Sequence, residues 1–491
     1  MMRSRGILMA ATMGVAASSL GQAPFDVDVT FSTTIETGGI SSVVPLSDGR
    51  VVFSGRLGSP GDPGYWTSSG RFTSAGSLDF SYYISGLGGG KLTPWNELMY
   101  VAGGQTVRRL LADGHVDPTW QELELDPYIH ILQGGDYHVF PDGRLVITGT
   151  HALYDSIRGF VGLYNLIWIT ADGRLDTTRV HRRGNGDLSK MRELPDGKFI
   201  IGGGLTEFEG HPVGNIIRVH PDGALDTTFQ TNASWFYPTF YHPLVDGKVI
   251  CTGDVVFSGS DDTLHVFRLL PDGSLDPTFN NHLAMWRTTD MDGIAGVSSI
   301  TPLGSDRYIV TGGFDRVEGQ FRGGIAVIDT AGYLLDEPLG EVGCGTFWNG
   351  FYNIGLIVGI VSDPQSGYYI FGSYHGYNDG TTNDVYQRMV SRLYGLDVGV
   401  EEEAVQAGAS LSLAPNPATA WCTVEYDLRT APEGASVELL DITGRSLWRA
   451  ALNNAKGQTV LDTRNLASGN YMVRLLNGGA ILGVRKLNVM N

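Results

Sequence analysis

The chain is poor in cysteine, in basic side chains and in long apolar runs. Its three cysteines, Cys251, Cys344 and Cys422, stand far apart in 491 residues. An odd, scattered set writes no disulfide framework and no zinc spacing. Cys251 lies in the apolar stretch VICTG and reads as a buried free thiol. Lysine and arginine total 34 against 52 aspartates and glutamates, a net charge of −18. Such a field repels phosphate backbones and anionic membranes, which argues against nucleic acid as a partner. Beyond the N-terminus the longest apolar run is IGLIVGIV at 354–361, too short to cross a bilayer of about 30 Å as a helix. Catalytic signatures are missing too: no G-x-S-x-G, no H-E-x-x-H and no G-x-x-x-x-G-K-[ST]. We expect no catalytic residues, no metal and no cofactor. The acidic loop HGYNDGTTND (375–384) has oxygen ligands but not an EF-hand spacing, and reads as a solvated loop.

Glycine, in contrast, is abundant at 68 residues and shows no collagen period, which suits many tight turns in an all-β chain. The N-terminus, MMRSRGILMAATMGVAASSLGQAPF, has Arg3 and Arg5 before an uncharged apolar stretch, then the small residues Ser19 and Gly21. That is the pattern of a secretory signal peptide over 1–21.

The turns are organised. HPDGALDTTF at 220–229 returns as LPDGSLDPTF at 270–279. A DG turn followed by a short β-like run also occurs at 113–120 and 172–179, with weaker copies at 69–76, 331–338 and 394–400. A second element, a DG turn followed by an apolar run ending in glycine, alternates with it. It occurs at 47–55, 141–149, 195–203 and 245–253, with degenerate copies at 95–104, 304–313 and 365–373. Each element therefore appears seven times. Asp196 to Asp246 is 50 residues, and so is Asp222 to Asp272. Pro-Asp-Gly between β-branched runs is a hairpin corner. Each unit reads as four antiparallel strands, and seven such sheets make a β-propeller over 22–397. FDVDVTF at 25–31 resembles the outer-strand element and is expected to complete the last blade. Most repeat aspartates are expected to accept backbone N–H bonds in turns. The repeat differs from the Asp-box of sialidase-type propellers, which has a glycine between its aspartate and threonine.

GGLTEFEGHPVGNIIRVHPDGALDTTF (203–229) and GGFDRVEGQFRGGIAVID (312–329) resemble the delta-60 repeat of bacterial β-propellers. The resemblance implies the fold and brings no activity with it.

In this topology both DG turns of a unit lie at one end of the propeller, and the longer, variable loops lie at the other. Binding residues concentrate in variable loops. There Trp235, Tyr237, Tyr241, Trp286, Trp348 and Tyr352 are candidates for a platform that takes sugar rings or a protein partner. The competing reading is that these side chains fill the wedges between blades.

After Tyr394 the composition changes. Residues 398–410 read as a linker, and 411–491 as a small immunoglobulin-like β-sandwich built from short alternating strands. This segment closely resembles the type A C-terminal sorting domain of type IX secretion. The resemblance is carried by Asn416 and Pro417, by Asp441 and Gly444 in DITGR, by Leu466, Gly469 and Tyr471 in LASGNYMVRL, and by Lys486, Leu487 and Val489. It implies a Gram-negative envelope, Sec-type export and engagement of the type IX machinery. It also implies a destination in the medium or on the outer-membrane surface. The whole reads as a secreted or cell-surface binding or adhesion module without catalysis. The alternative is a carbohydrate-active enzyme with paired carboxylates in the central depression of the propeller.

Overall fold

The computed structural model describes residues 24–489 apart from 34, 60–61, 104–105, 289–295, 351, 365–366, 379–386, 397–409, 429–430, 441–445, 468 and 479. The proposed signal peptide, most of the acidic loop, and Asp441 and Gly444 therefore lie outside the described residues. One compact unit spans Phe25–Gly395, and a second lies within 410–489.

The first unit is a seven-bladed β-propeller. Its blades are built on Gly38–Pro45, Val51–Ser59 and Asp62–Phe72; Gly89–Trp95, Leu98–Gly103 and Thr106–Leu110; Ile129–Val139, Leu145–Asp155 and Phe160–Ile169; Lys190–Glu193, Phe199–Gly202 and Ile216–Val219; Ala233–Pro243, Val249–Phe257 and Thr263–Leu269; Val297–Leu303, Arg307–Gly312 and Ile325–Asp329; and Leu356–Asp363, Gly367–His375 and Arg388–Tyr394. All pairings within a blade are antiparallel. A fourth, outermost element is a single bridge in most blades, such as Val219 with Leu225 and Leu269 with Leu275.

Seven hydrophobic clusters lie between neighbouring blades. Val52 and Met99 join blades 1 and 2; Val146 and Phe199 join blades 3 and 4; Phe53 and Phe371 join blades 7 and 1. A lone four-stranded sheet could not bury both faces, so the ring is what gives each blade a core.

The DG corners share one geometry. In Leu194–Lys198, the Gly197 N–H donates to Leu194 O (2.9 Å), and the Leu194 N–H donates to Lys198 O (2.8 Å). Asp196 Oδ1 accepts the Lys198 N–H. Gly197 has φ +79°, a conformation that favours glycine.

The aspartate of the LDxTF element does something else. Asp226 accepts the Arg218 Nε–H (2.8 Å) and the Thr228 hydroxyl (2.6 Å). Arg218 stacks over Phe229 and sends Nη1 to Pro271 O, in the DG turn of the next blade (2.7 Å). The same latch joins Arg109 and Asp117 to Ala171 O, and Arg268 and Asp276 to Thr330 O. Arginine eight residues before the aspartate is thus part of the repeat, and in blades 2, 4 and 5 it ties the blade to its successor.

The latch also closes the ring. Asp28 accepts the Arg392 Nε–H (2.8 Å), and Arg392 Nη1 reaches Ser74 O of blade 1 (3.3 Å). Val27 bridges Leu393, and the Tyr394 N–H donates to Asp26 O. The N-terminal segment therefore supplies the outer strand of blade 7. Its closure corrects the assignment of a seventh outer element to 394–400, because Asp28 holds the place that YGLDVGV was expected to fill.

The second unit is a β-sandwich. Ser410–Ala414, Trp421–Asp427 and Lys456–Asp462 form one sheet; Ser446–Ala451, Ser436–Leu440, Gly469–Asn477 and Ala480–Val489 form the other. Their facing sides bury Val424, Leu439, Val473 and Leu487. Ser410 belongs to the first strand, not to the linker.

Candidate functional site

Antiparallel pairing places the first strand of each blade with its start at the loop end, opposite the DG turns. Here strand alternation separates the candidate aromatics. In blade 5, Trp235 and Tyr237 are 50% and 68% exposed, whereas Phe236 between them is buried. Trp286 is exposed and its neighbour Met285 is buried; both belong to a small sheet that pairs Met285–Trp286 with Arg316–Val317. Trp348 is 59% exposed, while Phe347 is buried and stacks on His375. Tyr352 is half-buried, and its N–H is held by Asn349 Oδ1.

Tyr241 is a correction. It is buried at 2% exposure in the cluster between blades 4 and 5, near Phe236. Two bulges lie between Ala233 and Tyr241 in the pairing with Val249–Phe257, so simple counting does not give its side. Trp235, Trp286 and Trp348 make no ring contact with one another among the described residues. They mark three separate stations on blades 5 to 7.

Nearer the axis, a cavity of about 540 Å³ opens where blades 1 to 4 converge. Its wall includes Arg56, Lys91, Asp136 and Lys190. Asp136 Oδ1 accepts Lys91 Nζ (2.9 Å) and the Tyr137 N–H, while Oδ2 accepts the Met191 N–H (3.3 Å). One carboxylate thus ties the first strands of blades 2, 3 and 4. Burial pushes the Asp136 pKa up, but Lys91, Lys190 and these hydrogen bonds outweigh it and hold it below the usual range. Asp136 is the one carboxylate among the described residues that line the cavity. The arrangement is an ionised structural anchor, not a pair of carboxylates facing across a gap.

The three cysteines are unpaired. Burial raises the Cys251 thiol, and it raises Cys344 to about 12, so neither is a poised nucleophile.

In the sandwich, the sorting-domain residues that are described hold the fold. Asn416 Nδ2 donates to Lys486 O (2.8 Å), and Asn416 Oδ1 accepts the Asn488 N–H (2.9 Å), which pins the final strand. Pro417 follows directly and precedes Ala418, which bridges Val489. Tyr471 is buried and donates to Ala467 O (2.9 Å). Leu487 and Val489 are core residues, Leu466 packs against that core, and Gly469 opens the strand that carries Tyr471.

The sequence reading missed the arginine of the latch and the cations of the axial cavity. An R-x7-D spacing at 71/79, 109/117, 218/226 and 268/276 was the available signal for the first. Nothing periodic marks the second.

Residues 412–489 match the secretion system C-terminal sorting domain. Residues 194–229 and 246–279 match the DUF5122 beta-propeller, a domain of unknown function for which delta-60 repeat is another name. Both propeller matches run from a first DG corner to the latch phenylalanine. No curated protein matches the chain. Among solved structures, one similar fold is the extracellular domain of a one-component system from B. thetaiotaomicron, at 10% identity and TM-score 0.40. The chain is covered to 96% there and spans 58% of that domain. Another is PorZ, a surface component of the type IX secretion system of Porphyromonas gingivalis, at 13% identity and TM-score 0.26. It covers 93% of this chain and is itself covered to 75%. The sorting domain directs type IX export, to the cell surface or to the medium, and no described helix is long and apolar enough to cross a membrane.

Proposed function

We propose that this exported protein, a β-propeller carried by a type IX sorting domain, is a non-catalytic binding or adhesion module that takes a glycan or a protein on its loop end. The observation that carries this reading is the outward set of Trp235, Tyr237, Trp286 and Trp348 on strands where Phe236, Met285 and Phe347 beside them are buried. Exposed indoles on rigid strands offer stacking area at low entropic cost. The enzyme alternative draws no support from the axial cavity, where Asp136 is committed to Lys91 and to backbone N–H groups. The sorting-domain residues Asn416, Pro417, Leu466, Gly469, Tyr471, Lys486, Leu487 and Val489 serve export by holding the sandwich that the machinery engages.

The test is a glycan array and an envelope-protein overlay with the full chain, each repeated with Trp235, Trp286 and Trp348 replaced by alanine. The expected result is a specific signal that falls at least tenfold in the variant while thermal unfolding is unchanged. Unaltered binding in the variant refutes the aromatic face as the site.

A further inference from the structure

Blade 5 sets a polar pair beside its exposed aromatics. In the pairing of Ala233–Pro243 with Val249–Phe257, Trp235 stands opposite Val256 and Tyr237 opposite Asp254. These four side chains share one face, since Phe236 and Val255 between them are buried in the cluster with blade 4. Trp235 and Tyr237 are two residues apart on one strand, about 7 Å, so neighbouring rings of one ligand can stack on both. The pairing of Val249–Phe257 with Thr263–Leu269 slips between Thr252 and Val255. Asp254 lies in that bulge and His265 lies opposite it, and bulges re-aim side chains in this way. Asp254 Oδ1 meets His265 Nδ1 at 2.7 Å. A carboxylate only accepts, so Nδ1 carries the proton and donates, and Nε2 of the neutral ring is an acceptor. Asp254 Oδ2 and His265 Nε2 make no hydrogen bond among the described residues and are not sealed from solvent. Two acceptors thus stand beside two exposed rings. They suit adjacent hydroxyls of a sugar whose C–H face stacks on Tyr237 or Trp235. An acidic ligand would meet Asp254 in a chain of net charge −18 and be repelled. A cationic side chain would compete with the imidazole for the same carboxylate.

We propose that the loop end of blade 5 is a subsite for a neutral saccharide, stacked on Trp235 and Tyr237, with Asp254 Oδ2 and His265 Nε2 accepting two of its hydroxyls. This rests on the reading of the aromatic face as a binding surface, and it narrows that face to one blade and one ligand class.

The experiment is calorimetric titration of the full chain with cellobiose, mannobiose, lactose, diacetylchitobiose, digalacturonate and a lysine-rich peptide. We expect saturable binding of at least one neutral disaccharide at millimolar concentration, tighter than digalacturonate or the peptide and unchanged between 50 and 300 mM sodium chloride. Trp235→Ala with Tyr237→Ala should abolish it, and Trp286→Ala with Trp348→Ala should leave it intact. His265→Asn keeps a donor toward Asp254 but removes Nε2, and Asp254→Asn keeps the shape but exchanges an acceptor for a donor. Each should weaken binding about three- to tenfold with thermal unfolding kept. The proposal is overturned if no neutral disaccharide binds, or if digalacturonate or the peptide binds more tightly. It is equally overturned if both asparagine variants bind as the parent does. In that last case loss of binding in the Trp235 and Tyr237 variant would leave the aromatic face standing as a binding surface, whereas silence on the glycan array and the protein overlay would remove that reading as well.

Discussion

Replacing Asp226 with alanine tests the latch directly. Asp226 is almost fully buried and accepts four hydrogen bonds: from Arg218 Nε (2.8 Å), Lys198 Nζ (2.9 Å), Thr228 Oγ1 (2.6 Å) and Thr228 N (3.1 Å). Removing one partner of a buried ion pair costs about 3–5 kcal/mol, because the other charge is left without compensation. Here the low end applies. Lys198 is a quarter exposed and can turn to water, and Arg218 keeps Pro271 O. The expected loss is about 3 kcal/mol, which at about 2.1 cal/mol/K per residue lowers Tm by about 4 °C for a unit of this length. Differential scanning calorimetry of the full chain reads it. Asp222→Ala is the control, since that turn carboxylate is 63% exposed and should change stability by at most about 0.5 kcal/mol. Equal effects from the two substitutions, or a shift below 1 °C for Asp226→Ala, would show that the latch contributes nothing beyond an ordinary turn.

Four further outcomes are expected. Hydrogen bonds from Ser81 and then Arg71, against burial, hold Asp79 down to about 2, and Asp226 and Asp276 are lowered as well despite burial. A depressed folded pKa gives stability that is present above the unfolded value of about 3.9 and is lost as pH falls through the folded one. The melting temperature should therefore hold from pH 7 to 5 and fall between pH 4 and 2, less steeply in Asp226→Ala; an unchanged slope counts against the linkage. Phe31→Ala removes a fully buried ring set against Tyr369 at the closing blade and should cost about 3–5 kcal/mol in urea unfolding; a loss under 1 kcal/mol contradicts ring closure by the N-terminal segment. Gly223→Ala should destabilise more than Gly197→Ala although both have φ near +80°, because a Cβ at 223 runs into the Trp168 ring while one at 197 meets only Pro221 at 3.7 Å. Gly197→Ala should cost about 1 kcal/mol, and the same cost at both sites rules out the steric account. Asn416→Ala frees the last strand of the sandwich and should cost about 1 kcal/mol and raise the periplasmic fraction; unchanged export on fractionation separates sorting from that strand.

The repeat was legible because a hairpin corner constrains its own spelling. Proline, aspartate and glycine answer local backbone needs, so the blade count and both ends of the strands could be read without knowing any neighbour. The arginine of the latch was not read. Its partners lie eight residues on and in the next blade, and no local rule asks for a cation in a half-buried strand. Tyr241 went astray for a related reason. Period two assigns sides only while the register holds, and a bulge reverses the assignment. The axial cavity was beyond sequence reading, since it assembles residues from four blades, blade 1 through its second and third strands, and those residues share no motif.

This contrast bears on where specificity resides. The latch and the DG corners recur with the same distances from blade to blade: the Arg–Asp contact is 2.7 Å in blades 1 and 2 and 2.8 Å in blades 4, 5 and 7. At the loop end, by contrast, corresponding positions differ in chemistry. Along the first strands, blade 2 offers Lys91, blade 3 Asp136 and blade 4 Lys190, while blades 5 to 7 present tryptophans elsewhere at that end. A scaffold that fixes one end by repetition leaves the other free to vary without loss of stability, because the variable residues are not the ones that join the blades. Lys91 and, above all, Asp136 are exceptions, the latter a loop-end residue that ties three blades. Its removal should therefore damage folding and the axial cavity together, whereas Lys190 and Trp348 can change with the fold intact.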